Sequence, residues 1–226
     1  MEKHISIAID GPAGAGKSTI ARALAKELGF YYVDTGAIYR TVAYFLDLWG
    51  VSPKDVDAVE RYIDELTIGI EYDEDGVQHM IMNGMDVSKD IRTQEISQKA
   101  SLVSAHKVVR DVLLDMQREV ARNHNVIMDG RDIGTVVLPK ADVKIFLTAS
   151  SQVRAKRRCD ELVAKGQKAE FETILKEIEQ RDYQDSHREI APLKQAKDAV
   201  LLDTSDLDIP GVIAAMKEIV GRKVSL

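Results

Sequence analysis

Short apolar runs alternate along the chain with longer stretches in which apolar residues recur every three or four positions. Five of the runs, Ile5 to Ile9, Phe30 to Val33, Val126 to Met128, Val143 to Leu147 and Val200 to Leu202, are too short for helices and apolar enough for strands covered on both faces. The first is followed by Ile20, Ala21, Leu24, Ala25 and Leu28 at helical spacing. Strands separated by helical patterns predict an α/β fold, a five-stranded parallel sheet flanked by helices. Local signals place some boundaries. Ser52-Pro53 reads as an N-cap with the first helical residue, Asp208-Ile209-Pro210 opens the last helix, and Gly166 stops a helix that begins near Ser151.

Between the second and third core strands the pattern changes. Thr67 to Tyr72, Val77 to Met82 and Met85 to Val87 are joined by Asp73-Glu74-Asp75-Gly76 and Asn83-Gly84, both hairpin signals, so this stretch is read as a small antiparallel meander. Two helical stretches follow, with Val103, Val108, Val109, Val112, Leu113 and Met116 as the main apolar set of the second.

Residues Gly11 to Ser18 match the phosphate-loop pattern GxxxxGK[ST] and stand between the first strand and the first helix, the order that the pattern requires. Glycines at 11, 14 and 16 let successive backbone N–H groups turn toward phosphate oxygens, and the helix adds the positive end of its dipole. The pattern assigns Lys17 to the β- and γ-phosphates and the Ser18 hydroxyl to Mg²⁺. A long insert after the second strand then suggests a second substrate held over the loop, hence a transferase.

Composition narrows the class further. The chain has 226 residues, 45% of them hydrophobic, enough for one sizeable core with a small inserted subdomain. A formal charge of −6 argues against general binding to nucleic acid or to an anionic membrane. Met1-Glu2-Lys3-His4 leads straight into the first strand, and no apolar stretch nears the roughly 18 residues that span a bilayer, so the expected location is the cytoplasm. The single cysteine, Cys159, fits a reducing compartment and is read as a plain thiol.

Phosphoryl transfer depends on cations placed around the moving group. Arg40, in Asp34-Thr35-Gly36-Ala37-Ile38-Tyr39-Arg40, and Arg131, in Asp129-Gly130-Arg131-Asp132, follow the ends of the second and third strands, where open α/β sheets bind ligands. The plainer readings are a solvated helix residue for Arg40 and a surface pair with Asp132 for Arg131. Arg181, Asp185 and Arg188 stand at i, i+4 and i+7, one face of a helix. Arg154, Lys156, Arg157 and Arg158 form either a lid over phosphates or a solvated face. No general base is needed if the acceptor is itself a phosphate, whose second pKa is about 6. The histidines at 4, 79, 106, 124 and 187 lack metal-ligand spacing.

Taken in order, GPAGAGKST, DTGAIYR, the meander, DGRDIGTVV, KIFLTAS, RAKRR and RDYQDSHR make the chain, from about Ile5 to Asp203, resemble the bacterial cytidylate kinase family. The resemblance implies a P-loop NTPase fold as a single kinase domain over 1–226, with a nucleoside monophosphate-binding insert at 34–122 and a short lid at 151–172. It implies transfer of the γ-phosphoryl group of ATP to CMP or dCMP, with Mg²⁺, by a cytoplasmic protein expected to be a monomer.

Carried over by position, the resemblance gives Gly11, Pro12, Ala13, Gly14, Ala15, Gly16, Lys17, Ser18 and Thr19 to ATP, with Arg154 and Arg157 from the lid. Arg40, Arg131 and Arg188 would hold the acceptor phosphate, Arg181 and Asp185 the ribose hydroxyls, and Ser101, Arg110 and Asp132 the cytosine edge. Thr35, Tyr39 and Asp129 complete the acceptor set, and Lys17, Arg131 and Arg188 are the expected catalytic residues. A carboxylate beside an Arg and a hydroxyl complements the amino donor and the two acceptors of cytosine. Two rivals remain: a kinase for another acceptor such as UMP, AMP or a small hydroxylated metabolite, and a nucleotide-dependent switch protein. The chain lacks the guanine-reading Asn-Lys-x-Asp run that a switch would carry.

Overall fold

The computed structural model describes residues 4–224, so the reading of Met1 to Lys3 lies outside the described residues. The chain begins β1 (Ser6–Asp10), α1 (Lys17–Leu28), β2 (Tyr31–Asp34), α2 (Thr35–Leu48) and α3 (Val56–Ile63). The insert continues with β3 (Ile68–Tyr72), β4 (Gln78–Met82), β5 (Met85–Asp86), α4 (Gln94–Val103) and α5 (Lys107–Asn123). The core resumes with β6 (Val126–Gly130), β7 (Val143–Thr148), α6 (Ser151–Ala164), α7 (Phe171–His187), β8 (Val200–Asp203) and α8 (Ile209–Gly221).

All five expected core strands form one parallel sheet in the order β2-β6-β1-β7-β8. Alternation along each strand divides its residues between two apolar layers. Ile7, Ile9, Ile127, Ile145 and Leu147 pack toward Leu24 of α1 and Met216 of α8. Ala8, Val33, Val126 and Met128 face Ile38, Val42 and Leu113 of α2 and α5. In the central strands β1 and β6 both faces are covered, so Ile7 to Ile9 and Val126 to Met128 read as continuous apolar runs. All the strands point the same way, so Asp10, Asp34 and Asp129 come to one end of the sheet.

The meander is present as the antiparallel sheet β3-β4-β5. Asn83 and Gly84 turn it with φ of 48° and 83°, the left-handed pair that a tight hairpin uses. It docks on the free edge of β2. There Tyr72 Oη donates to the Tyr32 carbonyl at 3.0 Å, and Gln78 Oε1 accepts from Asp34 N at 2.7 Å.

Three local readings need correction. Ser52-Pro53 lies in a turn, and α3 starts three residues later because the Asp55 carboxylate accepts from Ala58 N at 3.0 Å and so caps the helix. Pro53 instead offers its carbonyl to His106 Nε2 at 2.7 Å. Val103 ends α4, and Val112 faces solvent, since Val109 and Leu113, one turn apart, take the buried face of α5. Asp129 and Gly130 do not follow the third core strand but finish it, which buries the Asp129 side chain. The other boundaries hold: Asp208 caps α8 through Gly211 N at 2.9 Å, and Gly166, at φ 71°, follows the end of α6. Among the described residues no helix is long and apolar enough to cross a membrane.

Candidate active site

The loop from Gly11 to Gly16 leaves β1 and enters α1 at Lys17. A Cβ at Gly11 would lie 1.9 Å from the Leu147 carbonyl oxygen, so only glycine lets the loop pass so near β7. The N-terminus of α1 has no side-chain cap and no acidic residue in its first turn, so its amides and dipole stay available to an anion. Lys17 is buried, and its ammonium donates to the Pro12 carbonyl at 2.7 Å. Burial, and after it the neighbouring Arg131 guanidinium, pulls its pKa down to about 7. An anion beside this group would oppose both effects. Ser18 Oγ donates to Asp129 Oδ2 at 3.0 Å, and Tyr32 Oη donates to Asp129 Oδ1 at 2.8 Å. Burial, then the Asp34 charge, raises the Asp129 carboxyl above the ordinary range.

A cavity of about 1000 Å³ opens over this loop. It is lined by every expected site residue except Gly11 and Pro12, which shape the loop from behind. Around Asp132 and Asp185 the charges are interlocked. Arg131 Nε donates to Asp185 Oδ2 at 2.7 Å, and Ser101 Oγ donates to Asp185 Oδ1 at 3.4 Å. Arg110 pairs with Asp132 Oδ2 and lies over the Tyr39 ring at 5.7 Å. Arg188 reaches Asp132 Oδ1 at 3.5 Å and Ser104 Oγ at 3.1 Å, while the Ser104 carbonyl accepts from Arg110 at 3.1 Å. Arg40 pairs with Asp34 at 3.0 Å.

This network replaces the plainer readings. Arg131 pairs with Asp185 of α7, 54 positions away, and not with its neighbour Asp132. Asp185 is 4% exposed, so it is no solvated helix carboxylate. Burial works to raise it, but Arg131 and Arg181 hold it below the usual carboxylate range. Arg188 lies just past the end of α7 in extended conformation, which swings it from the helix face toward Ser104 and Asp132. Arg181 is drawn down to about 10 by burial and then by Arg131. Among the described residues two buried donors, Arg40 Nε and Arg181 Nε, find no hydrogen-bond partner, and both side chains line the cavity. A buried unsatisfied donor costs about 1 to 3 kcal/mol, and an anionic ligand removes that cost.

The basic stretch on α6 is neither all lid nor all solvated face. Arg154 is 4% exposed and donates to the Ala149 and Ala13 carbonyls at 2.9 Å and to Asp182 at 3.1 Å, so it braces the phosphate loop. Arg157 donates to the Thr204 carbonyl at 2.6 Å. Lys156 is exposed near Asp160, and Arg158 donates to Glu161 at 2.8 Å. The Thr35 hydroxyl donates to the Asp129 carbonyl at 2.7 Å and ties the start of α2 to β6.

Sequence reasoning missed Ser104, which holds two arginines, and Gln78, which holds Asp34. Neither lies in a recognisable pattern. It also missed the segment from Thr204 to Val212, which extends the cavity beyond Arg157. Cys159 is half-buried against Ile174 and Leu162, consistent with a plain thiol. Among the described residues no cluster of three His, Cys, Asp or Glu could hold a metal. Ser18 and Asp129, bonded to each other, supply hard oxygen atoms beside the loop, which suits a magnesium ion that arrives on phosphates and takes few ligands from protein.

The family model described as cytidylate kinase matches residues 7–222. A cytidylate kinase of Leuconostoc mesenteroides is 48% identical over 98% of this chain and 99% of its own. One of Lactobacillus johnsonii is 50% identical over 97% of this chain and 95% of its own. Among solved structures, an uncharacterized protein from Eubacterium ventriosum is similar in fold alone, with TM-score 0.50 and 13% identity over 95% of this chain and 97% of that one.

Proposed function

The chain belongs to the cytidylate kinase family, and from that premise we infer that it transfers the γ-phosphoryl group of ATP to CMP or dCMP, giving ADP and CDP or dCDP. The observation that carries the residue assignments is the convergence of Arg40, Arg131, Arg181 and Arg188 with Lys17 in one cavity, where carboxylates hold Arg40, Arg131 and Arg188 in place.

In this reading the triphosphate lies along residues 13–19, with its negative charge met by backbone amides, the α1 dipole and Lys17. The donor base extends past Arg157 toward Thr204 to Val212. The Ser18 hydroxyl, with Asp129 behind it, would hold a Mg²⁺ ion brought in with ATP, and that ion would supply positive charge to offset the charge of the phosphates. The CMP phosphate is held by Arg40, Arg131 and Arg188, the ribose by Arg181 and Asp185, and the base by Ser101, Arg110 and Asp132. Guanidiniums suit this task because each meets two phosphate oxygens at once. The attacking phosphate oxygen is largely deprotonated near pH 7, so no side chain has to remove a proton.

Catalysis then consists of holding two anions in line and spreading cations around the transferring group. Residues 34–122 act as the acceptor-binding insert and 151–172 as the lid, with Arg154 as its fixed root, in a cytoplasmic monomer. An initial-rate assay of ADP release with CMP, dCMP, UMP, AMP and GMP tests the function. The expected order places CMP and dCMP well above the rest. Preferred use of AMP or GMP, or ADP release that ignores the acceptor, would overturn it.

A further inference from the structure

Asp10 is the last residue of β1 and directly precedes the phosphate loop. Its carboxylate is buried, 4% exposed, and bonds to the segment that follows β6. Oδ1 accepts from Ile133 N and Oδ2 from Gly134 N, each at 2.7 Å. These two amides belong to the residues immediately after Asp132. The backbone of Asp10 stands opposite Gly130 in the β1–β6 ladder. One residue therefore clamps the segment 130–134 at both ends, with Arg131 and Asp132 between the clamps.

The chemistry of the contact demands a carboxylate. Two parallel N–H groups need two acceptor atoms, and Asp is the shortest side chain that presents a pair. Asn keeps the shape but offers one oxygen and one amino group, so one backbone N–H would face another donor. Burial pushes the Asp10 pKa up to about 6, while the Gly134 and Ile133 amides work to lower it, so a carboxylate stands where solvent would serve it better. We propose that Asp10 is a positioning residue: by fixing the segment 130–134 it sets Arg131 and Asp132 against the acceptor, and it ties the donor loop to the choice of acceptor base. The proposal rests on the acceptor assignment above.

The link can be loosened from either side. Asp10→Asn removes one of the two acceptor atoms. Gly134→Ala places a Cβ 3.3 Å from Asp10 Oδ2 and 3.1 Å from Lys144 Cδ, and so presses on the same contact from the far side. With purified full-length protein, kcat/KM is measured for CMP and for UMP, together with the KM for ATP and the melting temperature. For Asp10→Asn the expected result is a loss of roughly 10- to 100-fold with CMP, the scale of a small misplacement of reacting groups. The loss with UMP should be smaller, so the CMP-to-UMP ratio falls at least about fivefold, while the KM for ATP stays near the wild-type value. Gly134→Ala should lower the ratio in the same direction by less.

Equal losses with CMP and UMP, or an unchanged ratio, would overturn the proposal and leave Asp10 a stabilising residue only. Should Asp10→Asn fail to fold, the ratio in Gly134→Ala decides by the same rule. Failure of the functional reading is seen separately, as a wild-type enzyme that does not phosphorylate CMP, and it would overturn this proposal too.

Discussion

The two ends of the cavity are built on opposite principles. In the proposed reading the phosphate-binding part of the donor end is contiguous, from Ala13 to Thr19, and would owe its affinity for phosphate to backbone amides, one helix dipole and a single ammonium. The acceptor end draws side chains from α2, α4, α5, α7 and the turn after β6, separated by up to about 150 positions, and owes its shape to charge pairs. A loop made of backbone tolerates most side-chain changes and depends heavily on a few residues. A network of paired charges spreads the dependence, because each carboxylate that faces the substrate also holds an arginine in place.

The sharpest way to break the donor end is Lys17→Ala. Lys17 gains value as charge moves onto the β–γ bridge, so turnover should be abolished while the melting transition persists. Near-normal turnover would contradict the loop assignment.

Next in size is Arg131→Ala at the acceptor end. Loss of a desolvated guanidinium that meets phosphate costs on the order of 2 to 5 kcal/mol in transition-state binding, against about 0 to 1 for a surface pair. The same change strands Asp185 without its nearest cation, so a fall in thermal stability should accompany the loss of kcat/KM for CMP. A drop in activity alone would mean that the Arg131–Asp185 pair contributes nothing to the fold.

Asp185→Ala should be milder. If the carboxylate accepts the 2′-hydroxyl, CMP loses about 1.5 to 3 kcal/mol and dCMP less, read as the two kcat/KM values. Equal losses with the two sugars would assign Asp185 to holding Arg131 instead.

The smallest effect is expected at the seam between the meander and the core. Gln78→Leu leaves the buried Asp34 amide without its acceptor, a cost of roughly 1 to 3 kcal/mol that chemical denaturation would register. Because Asp34 holds Arg40, the KM for CMP should rise while the KM for ATP does not. A rise in the KM for ATP alone would show that the meander serves the donor end.

The same contrast explains what could be read before any coordinates. Ile7, Ile9 and Ala8 lie in a strand buried on both faces, so the run itself announces the strand, and Gly11 to Ser18 announce the loop because the contacts are local. The acceptor residues could be named, but their partners could not. Arg131 stands beside Asp132 in the chain, yet β6 carries its guanidinium to Asp185, and Asp132 is left to Arg110 and Arg188. Pairings over such distances follow from topology, which residue spacing does not encode. Ser104 and Gln78 act through one hydroxyl, one carbonyl and one amide, and polar residues of that kind occur throughout any chain. Ser52-Pro53 failed for a local reason, since Asp55 offered a better cap three residues later.

The division into a backbone-made donor end and a side-chain-made acceptor end is tested most directly by Arg188→Ala, with ATP and CMP titrated against each other in one initial-rate matrix. Arg188 bonds to Ser104 and Asp132 and lies beyond the end of α7, so its loss should leave the KM for ATP unchanged. The loss in kcat/KM for CMP should correspond to about 2 to 5 kcal/mol. Equal deterioration for ATP and CMP, or a loss no larger than that of a surface ion pair, would contradict the account.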